Sequence, residues 1–524
     1  MLNLRPLSPV AHFLFKSFTQ EERSTHEEHK ITVNPIVSKF ASWYERLRNS
    51  MEFREDEVVL RATIERILKR RLLLGGNGKT TAEALVKELL WARYLPENEV
   101  SKSIVKHVEE TIDLYLGLRL KVMEQHRVSD TIINDWIYDL MSSDIQYILN
   151  PKRKKEVMTN FMFHVLKDDV NIIDDTPETK DAQVFMAVRK AYAKDDLAFL
   201  RYHMFCQYFG KLTPETLDYT ATHFLTGYKE ILKELTYPLK DKIYTYVKRR
   251  SAAFIILEDV LLSDVDNLKT MLESPDELEQ AVYAACNARY KSISSKVRRA
   301  IIRSVFFILL TKFAFAFAVE GSYEKFLYGH IIWSSMILNI GIPPILMIVV
   351  SFFIRTPGDE NSRRILDFIN QLLYEDNPKL GNQLIASKTQ AKNVSLHIAF
   401  DILWLIAFVI SFGGIILILT KLHFNVVSQF IFTFFLAIVS FLAYRISLLA
   451  NIYRVGDKQG LVTLLVDFLF MPVIQVGRRL TDGIRQINIF LYLFDFFIEA
   501  PFKLLFAFFD QWFYYLHAKT EELE

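Results

Sequence analysis

Hydrophobic and polar positions change their pattern once along this chain, near residue 300. Between 31 and 299, apolar residues recur every three or four positions with charged residues between them, the spacing of amphipathic helices. The pattern predicts helices over 58–74, 81–95, 100–123, 131–149, 157–170, 181–209, 215–235, 240–262 and 276–290. Thr80, Ser129, Thr213 and Ser274 stand where such helices begin and can accept from free N–H groups. Pro214 and Pro275 follow two of these residues, where a missing N–H costs little. No alternating strand pattern stands out. Past residue 300 come four apolar runs, 301–319, 331–354, 396–420 and 426–450. Each holds roughly the 17–25 mostly apolar residues that a membrane-spanning helix needs.

The expected fold is all-α: a helical soluble N-terminal domain joined to a multi-pass membrane domain with about four spans and a C-terminal amphipathic segment. Its expected parts are a polar, mobile tail (1–30), an all-helical cytoplasmic domain (31–299) and a first transmembrane hairpin (300–354). A cytoplasmic loop with a short amphipathic helix (355–394), a second hairpin (395–450) and an aromatic-rich segment (451–524) follow. In the loop, Ile365, Phe368, Ile369, Leu372 and Leu373 share one helix face, suited to the membrane surface or to the soluble domain. The sequence enters the first span without Pro or Gly after Tyr290, so an unbroken helix and a break near 292–295 both stay open.

Arg298, Arg299 and Arg303 precede the first span, Arg355, Arg363, Arg364, Lys388 and Lys392 lie between the second and third, and Arg445, Arg454 and Lys458 follow the fourth. The two short turns at 320–330 and 421–425 carry one lysine each. Basic loops stay on the cytoplasmic side, which places both large polar parts and both termini there. No secretory signal pattern opens the chain, and a bacterial cytoplasmic membrane is the default expectation.

Polar residues inside apolar runs are the candidates for function, because an ionisable group in hydrocarbon is costly without a partner. Lys312 sits mid-way along the first span, and its expected partner is Asp401 in the third or an acid of the C-terminal segment. Asn339, Pro343 and Pro344 interrupt the second span, and consecutive prolines free backbone carbonyls and kink a helix. From Thr463 to His517 a polar stripe recurs every three or four residues, with Met471 and Ala507 filling two of its positions. Its fifteen steps over 54 residues give the helical period. Asp467, Asp495 and Glu499 lie on it, and Glu499 can pair with Lys503. Two geometries fit: an in-plane or re-entrant helix with Arg478, Arg479 and Arg485 at lipid headgroups, or further spans whose stripe lines a polar interior. Crossing would place those arginines outside, so the inside bias favours the first.

Net charge is only +2, which implies no polyanion partner, and no nucleic acid is expected. Two cysteines, Cys206 and Cys286, do not make a disulfide framework or metal cluster and read as buried thiols. Gly75-Gly76-Asn77-Gly78-Lys79-Thr80-Thr81 ends like a phosphate loop, but Leu73 stands where the first glycine belongs and a helix precedes it. His26-Glu27-Glu28-His29 spaces its histidines three apart rather than four, and reads as a solvated segment. Lys152-Arg153-Lys154-Lys155 suits either a wet helix start or anionic headgroups. With no catalytic, cofactor-binding or metal-ligating set in view, the expectation is a non-enzymatic membrane-anchored scaffold. Its expected partners are the bilayer, a protein partner of the helical domain and copies of itself. The alternative is an oligomeric transporter or channel subunit whose polar path uses Lys312, Asp401 and the C-terminal stripe.

Overall fold

The computed structural model describes residues 7–19, 31, 33–52, 56–73, 75–96, 100–126, 130–263, 268–330, 333–375, 378, 381–391, 394–422, 424–456, 461–486, 505–506, 508–509, 511–513, 515–516 and 519. Almost all of it is helix. The first helices are α1 (Pro9–Thr19), α2 (Pro35–Glu52), α3 (Asp56–Leu73), α4 (Gly78–Trp91), α5 (Lys102–Gln125), α6 (Asp130–Leu149), α7 (Arg153–Leu166), α8 (Pro177–Val188), α9 (Leu197–Phe209) and α10 (Leu217–Leu235). Then come α11 (Lys240–Ser263), α12 (Leu268–Glu273), α13 (Pro275–Phe315), α14 (Ser322–Tyr328), α15 (Trp333–Ser351) and α16 (Asp359–Tyr374). The last are α17 (Lys388–Ala391), α18 (Val394–Lys421), α19 (Val426–Ala450) and α20 (Leu461–Gln486). Two strands, β1 (Val170–Ile172) and β2 (Leu384–Ala386), pair in parallel, an element the periodicity did not announce. Pro9–Thr19 is likewise helical where a mobile tail was expected, with Ala11, Leu14 and Phe18 buried.

The chain forms two compact units. The helical unit takes Phe13–Lys248, Gly381–Lys388 and Ile489–Glu524; the membrane-helix unit takes Met1–His12, Arg249–Leu380 and Thr389–Asn488.

In the helical unit, α3, α4, α5, α6, α9 and α10 share one core around Ile64, Leu89, Ile112, Leu140, Phe205 and Phe224. Asn77, not Thr80, caps α4: its side chain accepts from Thr80 N at 3.0 Å while Thr80 Oγ1 takes the Asn77 N–H at 3.0 Å. Gly78 N donates to Asp113 Oδ1 at 2.7 Å, so a carboxylate of the protein itself occupies the place a phosphate loop would offer. At another predicted start, Thr213 Oγ1 accepts from Thr216 N at 3.3 Å and Thr213 N donates to Thr216 Oγ1 at 2.9 Å, a reciprocal cap on the turn that leads into α10. The segment expected as one helix over 181–209 is broken: a π-helical turn, Arg189–Ala193, follows α8, and Lys194 reverses the chain with φ +63°. Asp196 then caps α9, accepting from Phe199 N at 3.1 Å.

In the membrane-helix unit, α13 runs 41 residues without a break, which settles the junction left open by the sequence. Leu278, Val282, Cys286, Tyr290, Ile293 and Val297 form its buried stripe, one residue per turn. From Ile302 onward large apolar side chains face outward, among them Phe306, Leu310 and Phe313. Three stretches are long and apolar enough to cross a membrane: Pro275–Gly321, Ile398–Lys421 and Val426–Ala450. The fourth expected span is α15, of 19 residues, whose apolar part is the shorter Asn339–Ser351. α13, α15 and α19 pack on one another through Ile308, Met347, Val439 and Ala443. α16 buries Ile365, Phe368, Ile369, Leu372 and Leu373 in protein, packed on α13 rather than lying on lipid. Asn361 ties it down, donating to Tyr290 OH at 2.7 Å and accepting from Val455 N at 2.8 Å.

Candidate functional site

Lys312 ends completely enclosed, and its partner among the described residues is not Asp401 but an acid of its own helical segment. Its Nζ lies 2.7 Å from Glu320 Oε1, eight residues further along the same helical segment. On a regular α-helix, eight residues leave two side chains about 80° apart around the axis. The turn Ala316–Gly321 is π-helical, and its wider winding brings Glu320 round to the Lys312 face. Glu320 was read as part of the outer loop, so the sequence offered no reason to pair it. Its other oxygen, Oε2, accepts from Asn339 Nδ2 on α15 at 2.6 Å. The Phe435 ring of α19 lies 5.1 Å from Lys312 Nζ and shields it from the third side. Three helices therefore meet at one buried ion pair.

Asn339 Oδ1 has no hydrogen-bond partner. The position also lies one turn before Pro343, whose missing N–H removes the helical donor to the Asn339 carbonyl; Pro344 does the same for Ile340. Both prolines are buried, and the helix continues through them.

Among the described residues, the remaining candidates Asp401 and Arg479 make no hydrogen bond or ion pair with this cluster. Asp401 is exposed on α18, among the outward-facing Phe400, Ile402 and Leu405. Arg478 and Arg479 are exposed on α20. Asp467 and Arg485 also lie in α20, with side chains outside the described set; Asp495 and Glu499 lie outside the described residues. α20 packs against both α18 and α19 at their mid-length. Leu469 O accepts from Ser411 Oγ at 2.5 Å, and a Cβ at Gly477 would run into the Ala437 carbonyl.

A second buried charged cluster, which sequence reasoning missed, lies in the helical unit. The Arg189 guanidinium, 2 % exposed, meets Glu156 Oε2 at 2.6 Å, Asp195 Oδ2 at 2.5 Å and Tyr147 OH at 2.8 Å. His203 Nε2 lies 2.9 Å from Tyr147 OH and 3.4 Å from Asp195 Oδ2. Burial pushes the His203 pKa below its ordinary value although Asp195 pulls it up. Burial is the largest influence on Asp195 and Glu156 too and works to raise them, but Arg189 and His203 together, with Tyr147 at Glu156, hold both carboxyls below the usual range. The break between α8 and α9 creates this cluster, because it turns Arg189 and Asp195 toward each other. No sequence signal marks it, since its five members are spread over 57 positions without a motif.

Among the described residues, no three His, Cys, Asp or Glu side chains gather in a group that could hold a metal ion. No protein-family model, curated protein or solved structure matches this chain.

Proposed function

We propose that the protein is a non-enzymatic, multi-pass membrane scaffold that anchors its helical unit to the cytoplasmic face of the bilayer for docking by a protein partner. The observation that carries this reading is the unbroken α13. At 1.5 Å per residue its 41 residues reach about 60 Å, twice the roughly 30 Å hydrocarbon core. One rod thus holds both the apolar crossing and the packed stripe from Leu278 to Val297. In this reading α15 is the fourth crossing, since 19 residues reach about 28 Å. The buried pair Lys312–Glu320 is then a lock that fixes the register of α13, α15 and α19. Removing one member of a buried pair costs about 3–5 kcal/mol, while replacing both by neutral groups of similar size is often neutral.

The test compares Lys312→Met, Glu320→Gln and the double variant in detergent and in proteoliposomes. A lock predicts a lower thermal midpoint for each single variant, recovery in the double, and no proton or alkali-cation flux above empty liposomes in any of them. Flux in the parent protein that Lys312→Met abolishes without lowering the midpoint would end the scaffold reading.

The second reading, an oligomeric polar pathway, is favoured by α20. Gly477 meets α19 at mid-length, and in this reading the exposed Arg479 nearby would need water or another protein surface. Cysteine substitution of Arg479, labelled from each side of sealed vesicles, separates the two: accessibility from the outer side supports the pathway.

A further inference from the structure

The N-terminus of α7 carries four consecutive cations, Lys152, Arg153, Lys154 and Lys155. Among the described residues none of the four has an ion-pair partner; Lys155 makes only a cation–π contact, 5.8 Å from the Tyr192 ring centroid. Lys152 occupies the capping position and its side chain accepts nothing, so the first N–H groups of the helix lack a side-chain acceptor.

A small cavity of about 30 Å³ opens beside this helix start, lined by Gln146, Asn150, Lys152 and Lys155 and also by Arg189 with Glu156 and Asp195. Gln146 is 5 % exposed, and its Oε1 has no hydrogen-bond partner. A buried amide oxygen without a donor is costly, and a ligand hydroxyl would relieve it. The carboxylates of Glu156 and Asp195 are already held by Arg189. Glu57 is the remaining acid on the wall, set against two lysines. Burial, and after it the neighbouring Lys155, depress the Lys152 pKa against the opposite pull of Glu57 and Asp195. Tyr147 also walls a larger, open cavity of about 500 Å³ lined by Arg153, Lys211, His107 and Tyr202, with Asp144 held by the Tyr202 hydroxyl at 2.9 Å.

We propose that this point binds a phosphate ester, its phosphoryl group held at the N-terminus of α7 between Lys152 and Lys155 and its body extending past Tyr147 into the larger cavity. The chemistry fits on three counts. Phosphoryl oxygens accept from two ammonium groups and from free helix N–H groups, where the helix dipole favours negative charge. A monoprotonated phosphate, or a hydroxyl of the ester's alcohol, supplies the O–H that Gln146 Oε1 lacks. The larger cavity is of the size that encloses small ligands. The ester can be a soluble metabolite or the headgroup of a phosphomonoester lipid, since both present the same group.

The experiment uses the full chain in phosphatidylcholine nanodiscs, with the thermal midpoint as the readout of binding. Glycerol 3-phosphate is titrated in one arm, and phosphatidic acid is added to the disc lipid in the other. Either ligand should raise the midpoint, and Lys152→Gln with Lys155→Gln should weaken the apparent affinity about tenfold. A control pair on the exposed face of α10, Lys229→Gln with Lys233→Gln, should leave it unchanged. A response to glycerol 3-phosphate assigns a soluble ester, and a response to phosphatidic acid alone assigns a headgroup. The proposal is overturned if neither ligand shifts the midpoint, if the double variant responds as the parent does, or if only a phosphodiester such as an RNA oligonucleotide binds.

Discussion

Arg189 shows how single residues decide this molecule's behaviour toward acid. A fully enclosed guanidinium is tolerable only because Glu156 and Asp195 remain ionised and Tyr147 donates into the same network. Three groups here bind protons less readily in the folded chain than in the unfolded one: His203, Asp195 and Glu156. A depressed folded pKa contributes stability that is present above the unfolded value and lost as pH falls through the folded one. The histidine term therefore begins to fade below about pH 6.5 and the carboxylate terms below about pH 4. The thermal midpoint of the helical unit should be level above pH 7 and drop in two stages on acidification. His203→Gln, which keeps a polar partner for Tyr147 but does not titrate, should remove the upper stage alone. A midpoint independent of pH between 7 and 5 in the parent protein contradicts this account. None of these roles was legible beforehand, because each depends on a neighbour remote in sequence. Lys312 was legible as a buried cation, yet its partner was not. The acid that pairs with it, Glu320, lies where the apolar run stops and polar loop residues begin.

Elements were far more readable than residues, for a physical reason. The three-to-four spacing of apolar positions is the same constraint that buries a helix face, so most helices of both halves lie close to where that spacing places them. Starts were less accurate where several oxygen-bearing residues stand together, and geometry picks Asn77 over Thr80; Thr213, by contrast, does cap the turn that leads into α10. The break between α8 and α9 was hidden because apolar spacing persists through a π-helical turn and resumes after it. A π-helical turn also ends the first span, so both buried ion-paired clusters depend on a local departure from the 3.6-residue period. α20 carries an equally specific demand. Gly477 lets the α20 backbone press on the Ala437 carbonyl, and no side chain fits there. Gly477→Val should force α20 away from α19 at a cost of at least about 1–3 kcal/mol. It should be visible as faster proteolysis at the turn 451–456 and a lower midpoint in detergent; an unchanged midpoint and cleavage rate would contradict this close packing.

At the scale of the whole molecule, the change in hydropathy near residue 300 is real but is not where the compact units divide. Residues from Arg249 to Ala300 pack with the apolar helices, and the division falls inside α11. Composition reports lipid exposure, whereas packing follows α13, which continues through the change without notice. The helical unit also recruits a distant piece of chain. β2 pairs with β1 in the register Val170↔Leu384, Asn171↔Ile385 and Ile172↔Ala386. Lys388 adds a 2.8 Å ion pair with Asp175, and its N–H donates to Asp174 Oδ1 at 2.6 Å. Replacing 384–386 by Gly-Ser-Gly should lower the stability of the helical unit and open the chain to protease at 173–176; unaltered cleavage there would show that the strand pair is dispensable. The pairing also orders events on the ribosome. When β1 emerges, its partner lies more than two hundred codons downstream, beyond the coding for α13 and α15. At about 5–20 residues per second, the wait is roughly ten to forty seconds. The newborn helical unit must pass that interval with an unpaired strand edge, while α13 and α15, helices of the proposed membrane anchor, are already made. In the scaffold reading, insertion of those helices would precede completion of the fold that was translated first.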